Sequence, residues 1–181
     1  LAVEFRMGEY EQLPALAKAL ERLKAEVIWV IGTRGARIVQ GVVKRTPLVV
    51  YSCDPFEHVT KLSHPGSNVT GTTCMTTELS PKRLELLKEL LPRAKRVVFF
   101  GDPEDAPEGW RLTREAAPKL GIEIQLVPYK DGDGIPAALQ QVAKIKPDAV
   151  FVYPDVMQAP GRLAQFWLEH SLPSMNAFPF Y

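Results

Sequence analysis

Cysteine, histidine and unbalanced charge are all scarce in this chain, and each shortage closes off a class of function. Two cysteines and three histidines in 181 residues are too few for a disulfide-rich scaffold, and Cys53 and Cys74 lack the paired spacing of a zinc site. On spacing alone the two cysteines read as buried free thiols. His58, His64 and His170 stand apart in sequence, so no metal site is assigned. Lys and Arg number 22 against 21 Asp and Glu, a net charge of +1, which supplies no long-range field toward nucleic acid or an anionic membrane. No stretch approaches the roughly 20 apolar residues of a spanning helix, and the opening LAVEFRMGEY lacks the basic-then-apolar profile of a signal peptide. Assembled catalytic motifs are missing as well: there is no G-x-S-x-G, P-loop, G-x-G-x-x-G or H-E-x-x-H.

What is present is a core-forming composition, 46% hydrophobic, arranged in a regular alternation. Short apolar runs predict strands at 3–6, 27–31, 48–51, 68–72, 97–100, 123–127, 149–153 and near 174–177. Helical spacing predicts helices at 9–24, 35–44, 56–62, 80–91, 107–120, 135–145 and 158–170, with Ser80 as an N-cap and Pro81 at the first helical position. Strands separated by helices imply parallel pairing through right-handed crossovers. The near-continuous apolar runs VIWVI, LVVY, VVFF and AVFVY imply strands covered on both faces. The expected architecture is α/β, two doubly wound parallel-sheet lobes, residues 1–93 and 94–181.

In such sheets ligands lie beyond the carboxyl ends of the strands, which selects the residues to inspect. Gly32-Thr33-Arg34-Gly35 follows one strand; Ser52-Cys53-Asp54-Pro55, Thr73-Cys74-Met75, Gly101-Asp102-Pro103, Pro154-Asp155 and Phe178 follow others. Thr33 and the N–H groups after it open a helix, where a carboxylate is favoured. The rival reading is a glycine turn that serves only the backbone. Asp54 and Asp155 are suited to receive an ammonium, although helix capping explains Asp54 equally well, and Asp102 is open to the same objection. Tyr153 and Phe178 can wall an apolar side chain, and Tyr153 fits a core position as well. The ligand-binding set is therefore Thr33, Ser52, Asp54, Thr73, Asp102, Tyr153, Asp155 and Phe178.

The runs PLVVYSCDP, KLSHPGSNVTGTT, ELSPKRLELLKELLPRAKRVVFF and KPDAVFVYPD resemble the substrate-binding proteins of bacterial ABC transporters, in the subgroup that includes the tryptophan-binding lipoproteins. The likeness extends over nearly the whole chain and is most specific in PGSNVTG and the helix that follows it. It implies a type I periplasmic-binding fold: two lobes, a hinge, and a small ligand, usually an amino acid or small organic acid, clamped in the cleft. It also implies an ABC permease as partner, no cofactor, no nucleic acid, and a periplasmic or other extracytoplasmic, lipid-anchored location. Family members usually carry GTPAA where this chain has Gly32-Thr33-Arg34-Gly35-Ala36, so Arg34 is expected to add positive charge at the cleft mouth.

Set beside the family, the chain starts after the expected first strand and stops before the return to lobe 1. It reads as truncated at both ends, with a gap and an exposed edge in lobe 1. The family pattern places Cys53 and Cys74 just past neighbouring strands, which makes a disulfide feasible in an oxidising periplasm. A cytoplasmic ligand-sensing domain of a LacI-type regulator would share the fold, and so would certain enzymes, although the absent phosphate loop and acid–base cluster argue against catalysis.

Overall fold

The computed structural model describes residues 2–54, 58–61, 63–129, 133–153 and 160–177. Its chain divides into two compact units, Leu1–Met75 and Thr76–Tyr181. The sequence reading drew the division at 93/94. The helix at Ser80–Leu90 accounts for the difference, because its buried Leu84 and Leu87 pack on the strands of the second unit.

In the first unit the branched runs become strands β1 (Ile28–Ile31), β2 (Leu48–Ser52) and β3 (Val69–Thr73), all parallel and ordered β1-β2-β3. Helices α1 (Leu13–Arg22) and α2 (Thr33–Val42) supply the connections that parallel pairing requires. Ile28, Leu48 and Val69 share one row of the sheet, and with Val50 they bury against Ala17 of α1, Ala36 and Val39 of α2, and Val43. Gly71 lets β3 lie close to β2, since a Cβ there would strike the backbone of Val50.

The opposite face of this sheet corrects the expectation of strands covered on both sides. Trp29 and Ile31 are 69% and 64% exposed, and they stand in register with Val49 and Tyr51 of β2. Val49 and Tyr51 are half-buried. Among the described residues β1 has a sheet partner on one edge only. The predicted strand at 3–6 does not form: residues 2–9 have no regular structure, and Val3, Phe5 and Met7 are exposed. An alternating pattern becomes a strand only where a neighbour takes its backbone hydrogen bonds, and no described strand does so. The helix expected at 56–62 is likewise absent from residues 58–61; the rest of that span lies outside the described residues.

The second unit holds β4 (Arg96–Phe100), β5 (Glu123–Val127), β6 (Ala149–Val152) and the short β7 (Ser174–Met175), parallel and ordered β5-β4-β6-β7. Here both faces are covered. Val98, Phe100, Val150 and Val152 bury against α5 (Ile135–Ile145) and α6 (Pro160–Glu169), through Ala138, Leu139, Val142, Leu163 and Trp167. Val97, Phe99, Ala149 and Phe151 face α3 (Ser80–Leu90) and α4 (Pro107–Ala116). Ser80 is the first residue of α3 rather than its cap; its hydroxyl donates to the Thr76 carbonyl at 2.8 Å. Among the described residues no helix is long and apolar enough to cross a membrane.

Candidate functional site

The polar groups of the first unit meet where β1, β2 and β3 end. Gly32, at φ +96°, turns β1 into α2, a backbone region that favours glycine, and its N–H donates to the Tyr51 carbonyl at 2.9 Å. The turn delivers Thr33 to the first position of α2, buried, with Oγ1 3.1 Å from Ser52 Oγ and accepting the Cys53 N–H at 3.2 Å. Ser52 donates its hydroxyl proton to the Asp54 carbonyl at 2.9 Å and accepts the Asp54 N–H at 3.2 Å. Thr73 is the ladder partner of Ser52, and its hydroxyl accepts the Met75 N–H at 3.1 Å. Cys53 and Cys74 form a disulfide, with Cα atoms 5.0 Å apart, that joins the ends of these two strands. The structure thus gathers Thr33, Ser52, Asp54 and Thr73 into one cluster, as the strand-tip argument expects. Arg34, next to it in sequence, stacks its guanidinium 4.3 Å from the centre of the Tyr10 ring.

His58 belongs to the cluster and was missed. It is buried, and Nε2 lies 3.0 Å from Ser52 Oγ. Because the single Ser52 proton is given to the Asp54 carbonyl, Nε2 supplies the proton of that contact, and Nδ1 has no hydrogen-bond partner among the described residues. Burial, then the positive charge of Arg37, pushes the imidazole pKa below its ordinary value. A concavity of about 80 Å³ opens beside this group, lined among others by Ser52, His58, Val59, Pro65 and Thr73.

In the second unit, β4 and β6 pair through Phe100 and Val152, so Tyr153 lies beside Gly101, and Asp102 follows. Asp102 is buried, and its Oδ1 accepts the Glu104 N–H at 2.8 Å, closing the turn into α4. Tyr153 is buried against Phe99, and its hydroxyl lies 2.8 Å from Thr77 Oγ1. Gly109 makes room for that ring: a Cβ there would sit 2.9 Å from Tyr153 Cζ. Asp102 thus closes a turn, without capping α4, whose N-cap is Ala106, and the Tyr153 ring lies in the core. Asp155 and Phe178 lie outside the described residues. A buried cation appears here that the sequence reading missed. Arg83 Nη2 donates to the Val152 carbonyl at 2.9 Å and to the Met175 carbonyl at 3.4 Å, at the ends of β6 and β7, with the guanidinium 4.4 Å from the centre of the Phe151 ring.

A family model described as ABC transporter substrate binding protein matches residues 4–164. The chain belongs to that family. Proteins of this family bind small-molecule ligands, work with a transporter and are extracytoplasmic. No curated protein matches the chain at a significant level. Among solved structures, a conserved domain protein from Vibrio cholerae is similar with a TM-score of 0.83 and 23% identity, over 96% of this chain and 60% of that one. The ABC domain from Streptococcus pneumonia in complex with L-Trp gives 0.79 and 20%, over 96% and 60%. A solute binding protein of an ABC transporter from R. palustris in complex with benzoate gives 0.63 and 15%, over 95% and 52%. The two lobes are thus of the type I periplasmic-binding kind, and this chain spans about 60% of the length of the first two neighbours.

The cluster in the first unit offers hydroxyl groups, the start of a helix and a buried carboxylate-bearing residue, with Ser52 and Thr73 on the wall of the concavity. Such a set orients a small polar solute through directed hydrogen bonds. Among the described residues no group of three or more His, Cys, Asp or Glu side chains is arranged to hold a metal. Arg83 was legible in principle, since Ser80, Arg83, Leu84 and Leu87 form one buried stripe of α3. His58 carried no comparable signal, lying in a loop six residues past Ser52.

Proposed function

We propose that this chain is the solute-capturing part of an ABC importer and takes an amino acid or similar small organic acid at the polar strand tips, its two lobes closing over the solute. The observation that carries the reading is the Thr33–Ser52–Asp54–Thr73 cluster at the carboxyl ends of three parallel strands, the place where open α/β sheets take ligands. Arg34, Asp102, Tyr153, Asp155 and Phe178 complete the proposed set. Relatives in complex with L-Trp and with benzoate support a ligand that joins a carboxylate to an apolar body. We read the chain as a binder and not an enzyme, delivering its solute to a membrane permease from a lipid-anchored position. The disulfide favours this reading over a cytoplasmic LacI-type sensor, because such bonds persist in oxidising compartments.

Micromolar affinity, about 8 kcal/mol, is within reach of a few oriented hydrogen bonds and one apolar wall. A thermal-shift panel of L-amino acids and small aromatic carboxylates tests the proposal. At a hundredfold excess over Kd a true ligand stabilises the protein by about 2.7 kcal/mol and raises its melting temperature by several degrees. A flat response to every compound at millimolar concentration would remove the proposal.

A further inference from the structure

The disulfide sits within the hydroxyl cluster itself, and its location gives it a second consequence. Cys53 lies between Ser52 and Asp54, and its own N–H is held by Thr33 Oγ1. Cys74 follows Thr73, the ladder partner of Ser52, and precedes Met75, which ends the first unit in a left-handed conformation at φ +53°. One covalent bond therefore holds together the two strand ends that carry the hydroxyl groups, and fixes the chain where it leaves this unit. β3 is an edge strand with β2 as its sole described sheet neighbour, and Thr70, Gly71 and Thr72 are exposed. Past the pair Ser52 and Thr73 the ladder stops, and the disulfide takes over from it.

We propose that Cys53–Cys74 is a redox clamp on the solute site: oxidised, it holds the hydroxyl cluster in register; reduced, it releases the 52–54 segment and the 73–75 strand end, and capture weakens. The structural step stands by itself, and its consequence for capture rests on the solute-binding reading above. The chemistry is thiol–disulfide exchange with a dithiol reductant. Cys53 is 5% exposed and Cys74 half-buried, so the incoming thiolate attacks Cys74 Sγ. The S–S bond breaks and Cys53 leaves as a thiolate that takes up a proton. The second thiolate of the reductant then resolves the mixed disulfide, releasing Cys74 as a thiol and closing the reductant's own disulfide. Two electrons and two protons pass to the protein.

Amide hydrogen exchange on the whole chain, oxidised and after dithiothreitol, tests the structural step. The amides of Cys53, Asp54 and Met75 are expected to exchange roughly tenfold faster in the reduced form, while β1 and α5 keep their protection. A Cys53→Ser/Cys74→Ser variant should match the reduced protein without reductant. Unchanged exchange at those amides overturns the proposal, and so does loss of protection in β1, which would make the bond a staple for the whole unit. Calorimetry with L-tryptophan, L-leucine and benzoate on both forms tests the consequence, with a loss of about fivefold or more in affinity on reduction expected for any probe that binds the oxidised protein. Equal affinity in both forms refutes the link to capture. If no probe binds the oxidised form, the solute-binding reading is the part that fails, and the exchange data still decide the clamp.

Discussion

Replacing Arg83 with methionine should leave the stability of the second unit within about 1 kcal/mol of wild type, whereas alanine should cost about 2–3 kcal/mol more than methionine. The first figure is a near cancellation. Burial pulls the guanidinium pKa down from its ordinary value to about 10, which corresponds to about 3 kcal/mol against the charged form. Opposing this are the charge-assisted bond to the Val152 carbonyl, about 1.5–3 kcal/mol, and the contact with the Phe151 ring, about 1 kcal/mol. Methionine removes both sides of that balance and still fills the space of the aliphatic stem. Alanine leaves that space empty between α3 and the sheet. Urea unfolding of both variants, followed by far-UV circular dichroism and by the fluorescence of Trp110 and Trp167, reads the difference at constant m-value. If methionine proves as damaging as alanine, the hydrogen bonds to the ends of β6 and β7 carry more than the desolvated charge costs, and the reasoning is wrong.

Other expectations follow from single contacts. Gly109→Ala pushes a methyl group into the Tyr153 ring, 3.0 Å from its hydroxyl oxygen, and should destabilise by about 1–3 kcal/mol in thermal melts. Tyr153→Phe orphans the buried Thr77 hydroxyl and should cost about 1–2 kcal/mol by the same assay. For His58, burial sets the folded pKa below the unfolded value of 6.5. Below pH 6.5 the unfolded chain takes the proton more readily, so stability should fall as pH drops from 6.5 toward the folded pKa, and His58→Asn should flatten that part of the pH profile.

The parts of the fold that could be read from sequence are those in which local pattern and tertiary setting agree. RVVFF and AVFV are apolar throughout because helices cover both faces of their sheet, and their strands appear where they were expected. VIWVI carries the same pattern, yet Trp29 and Ile31 are exposed; burial is decided by what packs on a strand, and the strand's own residues do not encode that. VEFR alternates like a strand and lacks a partner for its backbone. The boundary between units depends on packing in the same way. Pro92 looks like punctuation, but the division follows packing, and α3 packs forward.

At the site, strand-end position selected Thr33, Ser52, Asp54 and Thr73 correctly as neighbours, because parallel topology sends the carboxyl ends of all strands to one edge. It does not record that Asp102 also closes a turn or that the Tyr153 hydroxyl has an internal partner. The cysteine pairing was visible only through the family pattern. His58 depends on how a loop folds back over Ser52, which no periodicity records.

The central claim is that solute is taken at the carboxyl ends of the strands. Amide chemical-shift mapping during titration with L-tryptophan, L-leucine and benzoate tests it most directly. The account expects at least one of these to perturb Thr33, Ser52, Cys53, Asp54 and Thr73 in the first unit and Asp102 and Tyr153 in the second. Perturbations gathered instead at the opposite strand ends, around Lys95, Arg96 and Asp148, would contradict it.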